Sequence, residues 1–117
     1  MSQLSPTALS LMAEFFKVLS EVSRLQILCT LKSGSKNVTE IIEATGLGQA
    51  NVSKHLKILT QAKIVCRQQQ GSCVFYQISN PFIFELCELV CNSLTMQIEQ
   101  QNHQIEQLRA IHRSAKP

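Results

Sequence analysis

The chain has 117 residues, 44% hydrophobic and 16% charged, so it can bury one modest core and is too short for a second sizeable domain. Five phenylalanines, one tyrosine and no tryptophan leave little aromatic surface for a pocket that holds a large organic ligand. The net charge is only +3, but positions 44 to 84 contain no acidic residue and carry Lys54, Lys57, Lys63 and Arg67, which is typical of a segment that attracts a polyanion.

The N-terminal stretch MSQLSPTALSLMAEFFKVL lacks the basic start and continuous apolar core of a signal peptide. No run approaches the ~20 apolar residues of a membrane span. We therefore expect a cytoplasmic protein with no membrane partner. The chain has five cysteines, an odd number. An odd count in a reducing compartment favours thiol chemistry over a disulfide framework.

The first predicted helix begins at Ser5-Pro6, a capping residue followed by proline at the first helical position, and its apolar residues recur at helical spacing up to Leu19. Ser20 is predicted to cap a second helix, which ends at Ser33-Gly34-Ser35. The inner face of this second helix is predicted to contain Val22, Leu25, Leu28, Cys29 and Lys32.

A third, short helix is predicted from the cap Asn37 to Thr45-Gly46, followed by the tight turn Gly46-Leu47-Gly48. A fourth helix then runs from Gln49 to about Gln61, with apolar residues at i, i+4 and i+7 making one narrow stripe. Its other faces carry amides, hydroxyls and ammonium groups and no carboxylate, which is the chemistry that base edges and phosphates accept. Helix, short turn and helix with a polar outer face indicate a helix-turn-helix.

Two short β-rich runs, KIVCRQQQ and CVFYQI, predict a hairpin with Gln70-Gly71 at the turn. This register places Cys66 opposite Phe75 and Cys73 opposite Gln68, so the two thiols do not face each other. A hairpin after a helix-turn-helix is a wing.

A final helix is predicted from Asn80-Pro81, with a broad apolar stripe up to Ile98 and a polar sequence beyond Glu99. The whole chain, residues 1–117, is predicted to be a single domain with a core at about 6–98 and a polar helical extension at about 99–117. The apolar positions of the stripe are Ile83, Leu86, Cys87, Val90, Cys91, Leu94 and Ile98.

Three segments together, SRLQILCTL, VTEIIEATGLGQANVSKHLKIL and CVFYQIS, resemble the ArsR/SmtB family of small winged helix-turn-helix repressors over about residues 10 to 96. The resemblance implies a mainly α fold with a small β-hairpin, in the order α1-α2-α3-α4-β1-β2-α5. It also implies a homodimer through the first and last helices, bound to an inverted-repeat operator in double-stranded DNA and released by a chemical inducer. The alternative is a dimeric adaptor that binds no DNA.

The resemblance makes the fourth helix the recognition helix and the hairpin a clamp on the phosphate backbone or a minor groove. This wing carries fewer arginines than is usual in the family. For Ser53 and His55 the alternative is that they cap or brace the helix. The predicted DNA contacts are Gln49, Asn51, Ser53, Lys54, His55 and Lys57 in the helix, with Arg67 and Gln69 in the wing.

An enzyme is not predicted, because a catalytic cysteine needs a nearby base and the three histidines lie on the presumed DNA face or in the polar tail. No resident metal or other cofactor is predicted either. One metal-ligand set of the family needs cysteines near the start of the third helix, where none occurs. The positions of the other set, on the last helix, are taken by Asn80, Phe82, Ser93 and Met96.

Cys29 matches a reactive cysteine of the branch that senses sulfide and reactive sulfur (SqrR/BigR-like). The partner position on the last helix is Thr95 here, but Cys91 lies one turn earlier on the same face. Cys29 and Cys91 are therefore the predicted switch, with a reactive sulfur species or another thiol-reactive agent as the inducer. The alternatives are inert packing of these thiols, or a soft metal or metalloid held by Cys87 and Cys91 together with a third thiol.

Overall fold

The computed structural model describes residues 3–115. It confirms the mainly helical class with one small hairpin in the predicted element order. The contacts divide the chain into one unit that ends at Pro81 and a second that begins at Phe82. The elements are α1 (Pro6–Leu19), α2 (Val22–Leu31), α3 (Val38–Thr45), α4 (Gln49–Gln61), β1 (Val65–Gln70), β2 (Cys73–Ile78) and α5 (Phe82–Ala115).

The ends of α1 follow local capping rules. The Oγ of Ser5 accepts a hydrogen bond from the backbone N–H of Ala8 at 3.1 Å, with Pro6 beginning the helix, as predicted. The role predicted for Ser20 is wrong. Its hydroxyl donates to the carbonyl of Lys17 at 2.7 Å and so ends α1, because the last carbonyls of a helix need donors. Helix α2 instead has Glu21 as its N-cap residue.

The buried face of α2 also differs from the prediction. Ile27, Leu28 and Leu31 are buried, whereas Val22 and Cys29 are exposed. Helix α2 is apolar on two adjacent faces, so helical spacing alone is compatible with either face pointing inward. Contacts with α3 and α4 decide between them.

Helix α3 begins with a capping box. The Oδ1 of Asn37 accepts from the N–H of Glu40, and the N–H of Asn37 donates to Oε1 of Glu40, both at 2.9 Å. Gly46, with a φ of 75°, ends the helix in the left-handed conformation that glycine adopts without strain. The predicted cap, turn and start of α4 are therefore confirmed.

The predicted hairpin is confirmed, but its predicted register is wrong. The turn is Gly71-Ser72, closed by Gln70 opposite Cys73, so Cys66 pairs with Gln77. Gly71 has a φ of 64°, as the first central position of a type II′ turn requires. The two cysteines still do not face each other.

A Schellman motif joins α4 to β1. The N–H of Lys63 donates to the carbonyl of Thr60 at 3.0 Å, and that of Ile64 to the carbonyl of Leu59 at 3.1 Å. Lys63 has a φ of 62°, and Leu59 and Ile64 are both buried. The core of this unit consists of Ile27, Leu28, Leu31, Ile41, Val52, Leu56, Leu59, Ile64 and Val65.

Helix α5 is 34 residues long and stays helical through the polar segment that begins at Glu99. Its described residues from position 88 onward are exposed, including Val90, Leu94 and Ile98 of the predicted apolar stripe. Positions 116 and 117 of the predicted extension lie outside the described residues. None of the described helices has a stretch long and apolar enough to cross a membrane.

Candidate nucleic-acid interface

Helix α4 has one buried face and one exposed polar face. The buried face contains Val52, Leu56 and Leu59, which anchor the helix in the core. The opposite face has no carboxylate. No acidic side chain of α4 therefore pairs with its ammonium groups or accepts hydrogen bonds from its amides and hydroxyls. The residues that the structure exposes on α4 include five of those predicted to contact DNA: Gln49, Asn51, Ser53, Lys54 and Lys57.

The N-terminus of α4 adds backbone donors to this surface. The N-cap residue Gly48 has no side chain, and no side-chain cap bond satisfies the first amides of the helix. Uncapped helix N-termini attract phosphate through these N–H groups and through the helix dipole. The exposed amide of Gln49 is in the first position of the helix.

The prediction that His55 contacts DNA is wrong for this structure. The side chain is only 3% exposed, and its Nε2 lies 3.7 Å from Oε1 of Glu21. The Nδ1 atom is buried without a hydrogen-bond partner. His55 is three residues after Val52 and four before Leu59, so the helical spacing already placed it on the apolar stripe.

Glu21 connects His55 to Arg24, whose side chain is mostly covered. Its Oε2 accepts a hydrogen bond from Nη2 of Arg24 at 2.7 Å, and the Arg24 side chain is 12% exposed. The Nε atom of Arg24 is buried without a partner. The sequence interpretation missed this cluster, because the pairing of Glu21 with His55 joins residues 34 positions apart.

The hairpin presents its polar residues to solvent. Arg67 and Gln69 are both exposed and, two residues apart on β1, lie on the same face of the strand. The amide of Gln69 donates to the carbonyl of Gly71 at 3.4 Å. The intervening Gln68 is exposed as well.

The cysteines predicted to form the switch are both accessible. Cys29 is exposed on α2, where it lines an open cavity of about 370 Å³ together with Leu25, Ala44 and Thr45. Cys91 is exposed on α5, and Cys87, one turn earlier, is half-buried. No disulfide joins any of the five cysteines, all of which the structure describes. The pairing of Cys29 with Cys91 stays a prediction.

Metal-ligating side chains do not converge in the part of the chain that the structure describes. Within residues 3–115 there is no group of three or more His, Cys, Asp or Glu side chains that could hold a metal ion. A metalloid site built on Cys87 and Cys91 would therefore need a ligand from elsewhere.

Comparison with known sequences gives a consistent result. Residues 21–67 match the family described as bacterial regulatory protein, arsR family. The chain is 33% identical over 101 residues to the uncharacterised HTH-type transcriptional regulator Rv0081 of Mycobacterium tuberculosis, which covers 86% of this chain and 89% of the relative. The crystal structure of Rv0081 superimposes with a TM-score of 0.75 at 30% identity, over 84% of this chain and 98% of that one.

Two further solved structures are similar. The homodimeric winged helix-turn-helix DNA-binding domain of Mb0332 from Mycobacterium bovis has a TM-score of 0.72 at 28% identity, covering 86% of this chain and 95% of that one. The transcriptional repressor BigR of Xylella fastidiosa has a TM-score of 0.63 at 29% identity, covering 68% of this chain and 81% of that one.

Proposed function

Because the chain belongs to the arsR family of bacterial regulatory proteins, we propose that it is a homodimeric repressor that recognises an inverted-repeat operator with α4 and the hairpin. Membership of the family makes it a DNA-binding transcriptional repressor and not an enzyme. We place it in the cytoplasm, since a bacterial regulator acts where the chromosome lies.

One observation carries the proposal, namely the division of α4 into a buried apolar face and an exposed face without carboxylates. A helix of this kind fits the major groove, where the amides of Gln49 and Asn51 can each make paired hydrogen bonds to adenine. Lys54 reaches guanine or phosphate, and Lys57 reaches phosphate. Ser53 lies on the same exposed face and contributes a hydroxyl.

The wing supplies a contact that does not depend on sequence. Arg67 and Gln69 project from an exposed strand, so they can follow the phosphate backbone beside the groove that α4 occupies. With one arginine per wing, this clamp adds one phosphate charge contact per protomer. We therefore expect most of the specificity to come from α4.

Exposed apolar side chains on the first and last helices support a homodimer. Leu11 and Phe16 on α1, and Leu89, Val90 and Leu94 on α5, are all more than half exposed. Apolar surface of this extent on a small protein is typical of an interaction site. A two-fold dimer presents two recognition helices, which must match half-sites about 34 Å apart on the duplex.

For the signal we propose a thiol switch through Cys29 and Cys91. The Cys29 thiolate attacks a polysulfide, an S–S bond of the polysulfide breaks, and the shorter polysulfide leaves. The Cys91 thiolate then attacks the inner sulfur of the Cys29 persulfide and expels hydrosulfide, so the two cysteines are linked. Such a link between α2 and α5, one of the two helices of the proposed dimer interface, would change the spacing of the two recognition helices.

The test combines DNA binding with mass spectrometry. A duplex is selected from a randomised library by the native chain, and its binding is measured across a salt series and before and after addition of inorganic polysulfide. We expect a steep salt dependence, loss of binding on treatment, and a Cys29–Cys91 link that both Cys29→Ser and Cys91→Ser abolish. Cys91→Ser should still show the mass of the Cys29 persulfide, whereas Cys29→Ser should not. Cys73→Ser, which removes an exposed thiol from the hairpin, is the control.

Other outcomes identify the alternatives. Phosphates that are neutralised on binding release counterions, so DNA binding must weaken as salt is added. A chain whose binding does not depend on salt would be an adaptor and not a repressor. A Cys29→Ser variant that still leaves the operator on polysulfide treatment would eliminate the switch. Release by arsenite that depends on Cys87 and Cys91 would favour the metalloid site instead.

A further inference from the structure

We propose that Glu21 is a positioning residue for the recognition helix. Glu21 does not contact DNA itself. It acts through His55, a residue on the buried face of α4. The inference rests on the proposed function in so far as α4 is the helix that reads the operator. It adds the N-cap residue of α2, which lies outside the helix-turn-helix, to the determinants of DNA affinity.

The geometry makes Glu21 a bridge between two helices. Its Oε2 is bonded to Nη2 of Arg24 on α2 at 2.7 Å, and its Oε1 lies at ion-pair distance, 3.7 Å, from Nε2 of His55 on α4. As the N-cap residue, Glu21 is fixed to the start of α2 by its own backbone, since its carbonyl accepts from the N–H of Leu25 at 3.1 Å. The bridge therefore joins a rigid helix start to the middle of α4.

The burial of the three side chains is unequal. Glu21 is 49% exposed, and an ion pair between exposed groups contributes little. His55 is buried, however, and the Arg24 side chain is only 12% exposed, and each already has one buried polar atom without a partner, Nδ1 of His55 and Nε of Arg24. In Glu21→Gln the amide keeps one acceptor oxygen and replaces the other by an NH₂ donor, so Arg24 and His55 can no longer both face an acceptor, which is costly for side chains with little access to water. We expect α4 to rotate so that water reaches His55.

A small rotation of α4 is enough to affect recognition. Atoms ~5 Å from the axis of a helix move about 2 Å when the helix turns by about 20°. Paired hydrogen bonds to a base tolerate a few tenths of an ångström before they weaken. The contacts made by Asn51, which precedes His55 by one turn, would be the first to be lost.

The sign of the effect separates this proposal from simple electrostatics. Replacing Glu21 by glutamine raises the net charge of the chain by one, and this change alone predicts tighter binding to every duplex. A positioning role predicts the opposite for the operator and no loss for unrelated DNA. The two explanations cannot both describe the same measurement.

The experiment compares four full-length proteins: the native chain, Glu21→Gln, Glu21→Asp and Glu43→Gln. Glu43 is an exposed glutamate of α3, so Glu43→Gln makes the same charge change outside the cluster. Each protein is titrated with the duplex selected by the native chain and with a shuffled duplex. The temperature is kept well below the melting temperature of that protein. We expect Glu21→Gln to bind the selected duplex about tenfold more weakly, the size expected for one weakened contact to a base, and the shuffled duplex no more weakly. Glu21→Asp should lie closer to the native chain.

Amide NMR spectra of the free proteins provide a second measurement that needs no DNA. We expect Glu21→Gln to shift amides along α4 and the ring nitrogens of His55, and Glu43→Gln to shift amides of α3 only. Unmoved α4 amides would overturn the proposal, as would equal weakening of both duplexes or a Glu21→Asp variant as weak as Glu21→Gln. A native chain that cannot distinguish its selected duplex from the shuffled one would contradict the proposed function, while the spectra would still decide the role of Glu21.

Discussion

The backbones of Lys36 and Tyr76 exchange two hydrogen bonds: the N–H of Lys36 donates to the carbonyl of Tyr76 at 2.9 Å, and the N–H of Tyr76 to the carbonyl of Lys36 at 2.8 Å. This bridge connects the residue before the cap of α3 with the second strand of the hairpin. The wing is thereby attached to the helix-turn-helix by main-chain atoms, which do not depend on side-chain identity.

Lys36→Pro removes one donor of this bridge and leaves the ladder of the hairpin intact. We expect the free energy of unfolding to fall by about 1–2 kcal/mol, because a hydrogen bond is lost and the carbonyl of Tyr76 loses its donor. Urea denaturation measures this change, and amide exchange in the hairpin should accelerate. Lys36→Ala is the control, since it removes the contact of Nζ with Ser33 but keeps the backbone N–H. Equal stability of the two variants would contradict the prediction.

Lys63→Gly should stabilise the protein. Lys63 has a φ of 62°, where a Cβ atom is strained and glycine is not. The gain is partly offset by the greater freedom of glycine in the unfolded chain, so we expect up to about 1 kcal/mol in a urea titration. Lys63→Ala removes the same charge and keeps the Cβ atom. If Lys63→Ala stabilises the chain as much as Lys63→Gly, charge and not backbone strain is the cause.

Asn51→Ala tests base recognition by α4. Asn51 is exposed, and its amide can pair with the edge of an adenine. We expect a loss of about 1–3 kcal/mol on the selected duplex and little change on a shuffled one. Fluorescence anisotropy with both duplexes measures the difference. Gln61→Ala, at the other end of α4, shortens another exposed amide and should leave the preference unchanged.

Arg67→Ala tests the clamp. If Arg67 neutralises one phosphate, its loss should weaken binding to all duplexes alike and reduce the slope of log K against log salt by about 0.9 for each protomer. The measurement is a salt series on the selected and shuffled duplexes. Gln68→Ala, one position along the same exposed strand, carries no charge and serves as the control. If Arg67→Ala leaves the slope of log K against log salt unchanged, Arg67 does not contact the phosphate backbone of the DNA.

Local features of the fold could be predicted from the sequence because their causes are local. The caps at Ser5 and Asn37, and the glycine that ends α3, depend on residues within three or four positions of each other. The buried face of α2 could not be predicted, because Val22 and Ile27 belong to two apolar faces of similar strength. Only the surrounding helices decide which face is covered.

The candidate site, too, could be predicted only where its causes are local in the sequence. Exposure of the polar residues of α4 follows from its narrow apolar stripe, and the same stripe includes His55, which sequence reasoning assigned to the DNA surface. The environment of His55 depends on Glu21, which lies far away in the sequence. A one-residue error in the turn, Gln70-Gly71 instead of Gly71-Ser72, was sufficient to shift the predicted strand pairing.

Helix α1 has no buried residue along Pro6–Leu19, all of which the structure describes. An isolated helix of this length is marginal in water, because packing and not propensity supplies most helical stability. In the proposed homodimer, the association of two chains covers the exposed side of α1, so the ordering of α1 and the assembly of the dimer become a single equilibrium. The melting temperature of the purified protein should accordingly rise with its concentration, as mass action requires when the associated species is the stable one.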